Sequence, residues 1–149
     1  MKRDAGFTLI EVMLVMVILL VLGAMAYPRY AGYISKTRRI EAQVAMIEAI
    51  QQQERYYSQN NTYVAFSSAS EEPPAAGFKW WSGATAATSA YELEAAECPG
   101  RALTECVEVR ATPGTAKVDA RFAEPDCATL TKNTDGEQTA SGSYDRCWP

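Results

Sequence analysis

The sequence predicts an α+β fold in which a long N-terminal helix packs on a roughly four-stranded antiparallel sheet. Three observations predict it: an almost wholly apolar run over residues 7–27, apolar residues at helical spacing as far as Tyr57, and four later runs of alternating apolar and polar residues. The chain has 149 residues, a net charge of −4 and no His. Its length fits one domain, and its charge gives no general basis for binding nucleic acid.

The apolar run over residues 7–27 contains one charged residue, Glu11. A helix of this length crosses the roughly 30 Å hydrocarbon layer of a membrane. A secretory signal peptide cut before Tyr27 is the competing interpretation, since Lys2 and Arg3 precede the run. The length of the run and the carboxylate inside it favour a membrane helix that is retained.

Apolar residues at helical spacing continue after Pro28 and predict an amphipathic helix that ends near Ser58. We expect this stripe to pack on the sheet, with charged residues on the remaining surface. Pro28 cannot donate a backbone hydrogen bond to Ala24, and Gly23 adds flexibility, so a hinge with a bend or loss of helix is predicted between Gly23 and Pro28. The stripe comprises Tyr33, Ile40, Val44, Ile47, Ile50 and Tyr57, and the charged set comprises Arg38, Arg39, Glu41, Glu48 and Arg55.

The globular part begins with a stretch over residues 58–90 that is rich in Pro, Gly, Ser and Ala and predicts an irregular surface loop. Four runs with period-two alternation then predict the strands, at residues 91–95, 107–111, 118–122 and 128–130. Pro113-Gly114 lies between the second and third runs and suits a type II turn. We expect one face of this meander to meet the helix and the other to face water.

Four cysteines, Cys98, Cys106, Cys127 and Cys147, allow three pairings. Proximity along the chain favours Cys98 with Cys106 and Cys127 with Cys147. A zinc site is the alternative, but the spacings contain no C-x-x-C and the chain has no His. Disulfides are therefore the expected state of a domain that is carried across a membrane.

The residue types that support catalysis are missing from the sequence. It has no His, no G-x-S-x-G elbow and no phosphate loop, and the cysteines are better used as disulfides. The sequence therefore predicts a protein that is not an enzyme and has no cofactor or metal.

The N-terminus resembles the processing signal of type IV prepilins and pseudopilins. The basic leader KRDAG occupies residues 2–6 and is followed by FTLIE at residues 7–11. The resemblance implies a type IV pilin fold, cleavage between Gly6 and Phe7 by a prepilin peptidase, and N-methylation of Phe7. It also implies four segments: a leader at 1–6, a transmembrane and filament-core helix at 7–28, an amphipathic half at 29–58, and the αβ-loop, sheet and C-terminal region at 59–149.

This processing implies a role for Glu11. Cleavage would create a positive amine at Phe7, four residues before Glu11, in surroundings of low dielectric where each charge needs a partner. The resemblance implies that the carboxylate neutralises the N-terminal amine of a neighbouring subunit and sets the axial register. It also implies that helix around Pro28 is lost on assembly.

The C-terminal segment resembles that of PilE-type minor pilins, in DCATLT at 126–131, DG at 135–136, ASG at 140–142 and CW at 147–148. The helix end, QERYYSQNNTY at 53–63, resembles the same group. The resemblance implies a structural subunit, a minor pilin held in the bacterial inner membrane with its C-terminal part periplasmic and later present in the extracellular pilus. Its partners would be other pilin subunits, the prepilin peptidase and the inner-membrane assembly platform.

A pseudopilin of a type II secretion pseudopilus is one alternative. Some pseudopilins bind calcium through C-terminal carboxylates, for which Asp126, Asp135 and Asp145 are the candidates here. These three aspartates are spread over 20 residues without a compact acidic motif, so we expect solvated loop acids. The two cysteine pairs also favour a pilus.

A DNA-uptake receptor is the other alternative, since some minor pilins have that role. Lys79, Trp80 and Trp81 place two aromatic rings beside a positive charge and could stack on bases. From Phe78 onward, however, seven Lys and Arg face eleven Asp and Glu, which repels phosphate unless the basic residues cluster. Burial or subunit contact is therefore the favoured role of the two tryptophans.

Overall fold

The computed structural model describes residues 7–69 and 77–148, so the predicted leader, with Gly6, lies outside the described residues. Within them the chain forms helix α1 (Leu9–Asn60), a short 3-10 helix (Ala86–Thr88) and four strands. The chain divides into two units at the boundary between Lys36 and Thr37. The strands are β1 (Tyr91–Glu97), β2 (Val107–Pro113), β3 (Leu130–Asn133) and β4 (Gln138–Ala140).

The first half of α1 has the length and composition of a membrane-spanning helix over Leu9–Ala26, and none of this span is buried inside the chain. The helix begins after Thr8, whose Oγ1 accepts a hydrogen bond from the backbone N–H of Glu11 at 3.3 Å. Thr8 and Glu11 have the spacing of a capping box. The helix is unbroken through Gly23 and Pro28, so the loss of helix predicted there does not occur in the single chain.

The face of α1 that packs on the sheet is not the predicted stripe. Ile40, Val44 and Ile47 are 49, 49 and 42% exposed. The apolar part of the buried face consists mainly of alanines. At 3.6 residues per turn the two sets fall on opposite sides of the helix. The buried residues are Arg39, Ala42, Gln43, Ala45, Met46, Ala49 and Gln53, whereas Ile50 and Tyr57 are half-buried beside them and Tyr33 is exposed.

The sheet confirms the predicted four-stranded antiparallel meander, in the order β1-β2-β3-β4. Alternation in the first two strands places one set of side chains in the core, with Leu93 opposite Ala111 and Ala95 opposite Val109. Val107 and Leu130 complete the buried face. The outer edge of β1 is covered by two isolated bridges, Phe66 with Ala95 and Trp81 with Glu92.

The strand predicted at residues 118–122 is wrong, because this segment forms turns. Asp119 organises them: its carbonyl accepts a hydrogen bond from Phe122 N at 3.0 Å, and its carboxylate accepts one from Arg121 N at 3.1 Å. The hydrogen bond from Arg121 N to the carboxylate lowers the pKa of Asp119. Ala128 has a positive φ of 49°, so β3 starts only at Leu130, and the fourth strand forms from residues 138–140 instead.

Gly114 closes β2 with a φ of +62°, and a Cβ added there would lie 2.2 Å from the carbonyl oxygen of Phe122. We expect Gly114→Ala to lower the free energy of unfolding by about 3 kcal/mol, because the left-handed backbone and a backbone clash both oppose it. Gly100→Ala is the matched control, since Gly100 has a φ of +74° with open space around it and should lose only about 1 kcal/mol. Urea unfolding of the full chain in detergent measures both, and equal losses would contradict the clash.

Candidate functional sites

The N-terminal site is built on the first turns of α1. Phe7 is 83% exposed and precedes the cap residue Thr8, and Glu11 lies in the first turn of the helix. The carboxylate borders an apolar groove along the helix surface, which offers a contact surface to lipid or to another helix. The groove is lined by Phe7, Glu11, Val12, Val15, Met16 and Leu19.

A buried ion pair attaches the second half of α1 to the loop before β3. Arg39 Nη2 and Nε donate to the two carboxylate oxygens of Glu124 at 2.8 and 3.2 Å, and the side chains are 9 and 0% exposed. Tyr91 Oη and the backbone N–H of Cys127 donate to the same carboxylate at 3.3 and 3.4 Å. The carboxylate therefore joins the helix, β1 and the C-terminal disulfide in one network.

The electrostatics of this network follow from burial and charge. Burial raises the pKa of Tyr91, and the negative charge of Glu124 raises it further. Burial alone would lower the pKa of Arg39, but the hydrogen bond and the charge of Glu124 outweigh it and raise that pKa. The sequence placed Arg39 on the solvated surface, which is wrong. Its position one turn from the buried Ala42 and Gln43 was the pattern that could have indicated burial.

Two glutamines on the same face of α1 hold other parts of the chain. Gln43 Nε2 donates to the carbonyl of Cys147 at 2.6 Å. The Gln53 side chain exchanges two hydrogen bonds with the backbone of Val64, at 2.6 and 3.0 Å. The helix thus binds both the C-terminal disulfide and the start of the loop that follows α1.

The disulfides join Cys98 to Cys106 and Cys127 to Cys147, the pairs that proximity along the chain favours. In the loop-entropy model these bonds contribute about 2.5 and 3 kcal/mol. Trp148 Nε1 donates to the carbonyl of Thr139 at 2.9 Å and fastens the end of the described chain to β4.

The three aspartates considered as calcium ligands are not brought together. Asp126 lies 3.7 Å from Arg39 Nη2, and Asp135 pairs with Arg101. Among the described residues no cluster of three or more acidic or cysteine side chains could hold a metal ion.

Lys79, Trp80 and Trp81 lie together beside α1. The two indole rings meet edge to face with centroids 5.1 Å apart, and Lys79 Nζ lies 5.7 Å from the centroid of Trp81. Trp80 packs against the hydrophobic core. Trp81 Nε1 is buried, and no acceptor in the described part of the chain bonds it.

The basic residues of the globular part differ in whether carboxylates engage them. From Phe78 onward, Arg101, Arg110 and Arg121 form salt bridges with neighbouring acids. The remaining four form no salt bridge with residues 7–69 or 77–148, and they are Lys79, Lys117, Lys132 and Arg146.

The first half of α1 is an unburied apolar helix with a carboxylate in its first turn. Its second half packs on a disulfide-bonded antiparallel sheet. These features define the fold of a type IV pilin. The chain belongs to the family described as type IV minor pilin ComP, DNA uptake sequence receptor, whose model matches residues 28–131. The model of the prokaryotic N-terminal methylation motif matches residues 1–27. Together the two matches make the chain a type IV minor pilin.

Two solved structures are similar to this chain. The non-core minor pilin PilV of Neisseria meningitidis is 18% identical with a TM-score of 0.50, covering 77% of this chain and 94% of that chain. A type IV pilin from Shewanella oneidensis is 23% identical with a TM-score of 0.48, covering 77% of this chain and 98% of that chain. No curated protein matches the chain.

Proposed function

We propose that this minor pilin is cleaved between Gly6 and Phe7, is methylated at Phe7, and enters a type IV pilus through α1. The observation that carries the proposal is that the apolar span Leu9–Ala26 buries none of its length within the chain. Such a surface needs lipid before assembly and neighbouring helices afterwards. The methylation-motif match over residues 1–27 supports the processing step.

The N-terminal chemistry follows from charge. Removal of the leader leaves an ammonium group at Phe7, and Glu11 is a carboxylate at membrane depth that forms no salt bridge with the described residues 7–69 and 77–148. An ammonium from an incoming subunit neutralises Glu11 of its neighbour, and the low dielectric makes the pair specific for one axial register. The globular part, with its disulfides, lies on the periplasmic side before assembly.

The second half of α1 supplies a further assembly surface. Ile40, Val44 and Ile47 point away from the sheet and expose an apolar row on the globular unit. We propose that neighbouring pilins cover this row, since exposed apolar patches on a subunit serve as contacts. Gly23 and Pro28 form the hinge at which α1 unwinds on assembly, because Pro28 donates no backbone hydrogen bond to Ala24.

The test is mass spectrometry of the chain recovered from sheared and washed pili. The expected result is an N-terminal peptide that begins at Phe7 and carries one methyl group on its amine. A chain that is absent from the pili, or an N-terminus at Tyr27, would overturn the proposal, because a signal-peptide cut at Tyr27 discards the helix.

DNA binding is a second candidate function, favoured by the description of the matching family as a DNA uptake sequence receptor. The net charge from Phe78 onward opposes it, but Lys79, Lys117, Lys132 and Arg146 are not engaged by carboxylates of the described residues. Cations that carboxylates do not neutralise can bind phosphates, and the affinity of such binding falls steeply with salt.

A gel-shift titration tests this second function, with the full chain in detergent and sheared duplex DNA as the probe. We expect retardation at low salt that is lost as salt rises through the physiological range. The absence of retardation at the lowest salt would remove DNA binding from the functions of this pilin.

A further inference from the structure

The part of α1 that follows the apolar span differs in charge from the rest of the chain. Residues 27–36, the neck segment, contain three Tyr, one Lys, one Arg and no Asp or Glu. Tyr30 and Tyr33 are 66 and 68% exposed, and Lys36 is exposed as well. From residue 37 onward the balance is reversed, with 10 Lys and Arg against 16 Asp and Glu. Attraction to an anionic surface is therefore strongest at the neck segment.

The fold engages the basic residues that come after the neck segment. Arg39 Nη2 lies 2.8 Å from the carboxylate of Glu124 in the buried ion pair. Arg38 Nη1 lies 3.0 Å from the carboxylate of Glu41 on the helix surface. Lys36 forms no salt bridge with residues 7–69 or 77–148. Its ammonium group is thus available to an anion outside the chain.

Helix geometry places the neck segment at the membrane surface. With a rise of 1.5 Å per residue, Tyr30, Tyr33 and Lys36 follow the end of the span at Ala26 by about 6, 11 and 15 Å. The headgroup layer extends about 5–8 Å beyond the hydrocarbon. Helical side chains point back towards the N-terminus, so the long Lys36 side chain reaches towards this layer. Tyr side chains favour the same level, because the ring is apolar and the hydroxyl is polar.

We propose that the neck segment binds the headgroup of an anionic phospholipid, with Lys36 Nζ donating to the phosphate oxygens and Tyr30 and Tyr33 lying among the headgroups. The inference rests on the proposed retention of α1 in the membrane and names a lipid contact within it. A lipid is favoured over a soluble anion because the segment continues the membrane span and exposes two aromatic rings beside its cation. This contact fixes the depth of α1 in the bilayer before assembly.

The experiment is native mass spectrometry of the full chain in detergent, titrated with phosphatidylglycerol and, separately, with phosphatidylcholine. Lys2 and Arg3 are changed to Gln in every chain, so that the charges of the leader do not contribute. We expect phosphatidylglycerol to bind about fivefold more tightly, because the choline cation of the other lipid offsets its phosphate. Lys36→Gln should remove this preference, and Lys36→Arg should retain it.

The two tyrosines should act on both lipids alike. Replacing Tyr30 and Tyr33 together by Ala removes aromatic surface but no charge. We expect this variant to bind both lipids about twofold more weakly and to keep the fivefold preference. A loss of the preference in this variant would contradict the separate roles given to the rings and to Lys36.

Lys117→Gln is the matched control, because Lys117 is an exposed lysine of the globular part that likewise forms no salt bridge with the described residues. It should keep the preference for phosphatidylglycerol. Circular dichroism establishes that each variant is folded. The site is overturned if Lys36→Gln keeps the preference or if Lys117→Gln loses it equally. Displacement of the lipid by an equimolar amount of inorganic phosphate would overturn the assignment to a lipid.

Flotation with vesicles of phosphatidylcholine separates this site from the proposed function. We expect the full chain to float with these neutral vesicles, because the apolar span inserts without help from charge. If the chain floats but shows no preference for phosphatidylglycerol, the headgroup site fails and the membrane helix stands. If the chain does not float, retention of α1 in the membrane fails as well.

Discussion

Replacing Arg39 by methionine is expected to lower the free energy of unfolding by about 3–5 kcal/mol. The variant removes the cation from a carboxylate, that of Glu124, whose side chain is fully buried. The hydrogen bonds from Tyr91 Oη and Cys127 N remain, but neither neutralises the charge. A loss of this size is a large part of the stability of a small domain. Urea unfolding of the full chain in detergent, followed by circular dichroism, measures it.

Arg38→Met provides the comparison at the neighbouring position. Arg38 pairs with Glu41 at 3.0 Å on the helix surface, with both side chains partly exposed, so its loss should cost less than about 1 kcal/mol. The double variant Arg39→Met with Glu124→Leu should recover most of the stability, because no charge is then left buried. An Arg39→Met chain as stable as Arg38→Met would contradict the importance of the buried pair.

The same ion pair explains how the C-terminal region is connected to α1. Glu124 binds both Arg39 on α1 and the backbone of Cys127, while Gln43 binds the carbonyl of Cys147. Both cysteines of the second disulfide are thus attached to the helix. We infer that forces on the exposed C-terminal loop reach α1 through these polar contacts as well as through the hydrophobic core.

The N-terminal half and the first strands could be predicted because their signals are local. An apolar run longer than a signal peptide requires lipid or other helices, and strict alternation at residues 91–95 and 107–111 requires one buried face. The strand at 118–122 failed because Asp119 accepts hydrogen bonds from its own backbone neighbours, which favours a turn over a strand with the same alternation.

The buried face of α1 could not be predicted from apolar spacing, because that spacing is interpreted as if the helix packed only against the sheet of its own chain. Ile40, Val44 and Ile47 are large apolar residues that lie on the exposed side, yet the apolar residues of this helix half that are buried are mainly alanines. Alanine contributes little to an apolar periodicity but permits close packing. In a subunit that other chains surround, the more apolar face is the one reserved for those chains, and we interpret the outward row in this way.

The candidate sites also divide into those that local sequence signals indicate and those that only the folded chain reveals. Glu11, Phe7 and the cysteines are evident from the sequence, because each belongs to a short motif or a close pair. Glu124 lies 85 residues from Arg39, and only the folded chain brings them together. The burial of Trp81 Nε1, which no acceptor among the described residues bonds, is likewise a property of the folded chain that no spacing in the sequence could indicate.

Replacing Glu11 by valine is expected to reduce the amount of this chain in sheared pili by about tenfold or more. The incoming ammonium at Phe7 would then be buried in the filament core without a partner, which costs several kcal/mol per subunit. The measurement is the ratio of this chain to the dominant pilin in the filament fraction, with the membrane fraction as the control for expression and insertion.

Further variants separate the charge of Glu11 from its place in the helix cap. Thr8 Oγ1 accepts the hydrogen bond from Glu11 N, so a purely structural role would be served equally well by glutamine. We expect Glu11→Gln to be as deficient as Glu11→Val, and Glu11→Asp to retain part of the assembly with its shorter reach. Thr8→Ala removes the cap, keeps the carboxylate and should assemble at nearly the wild-type level. Wild-type incorporation of the valine or glutamine variant would show that the carboxylate does not receive the amine.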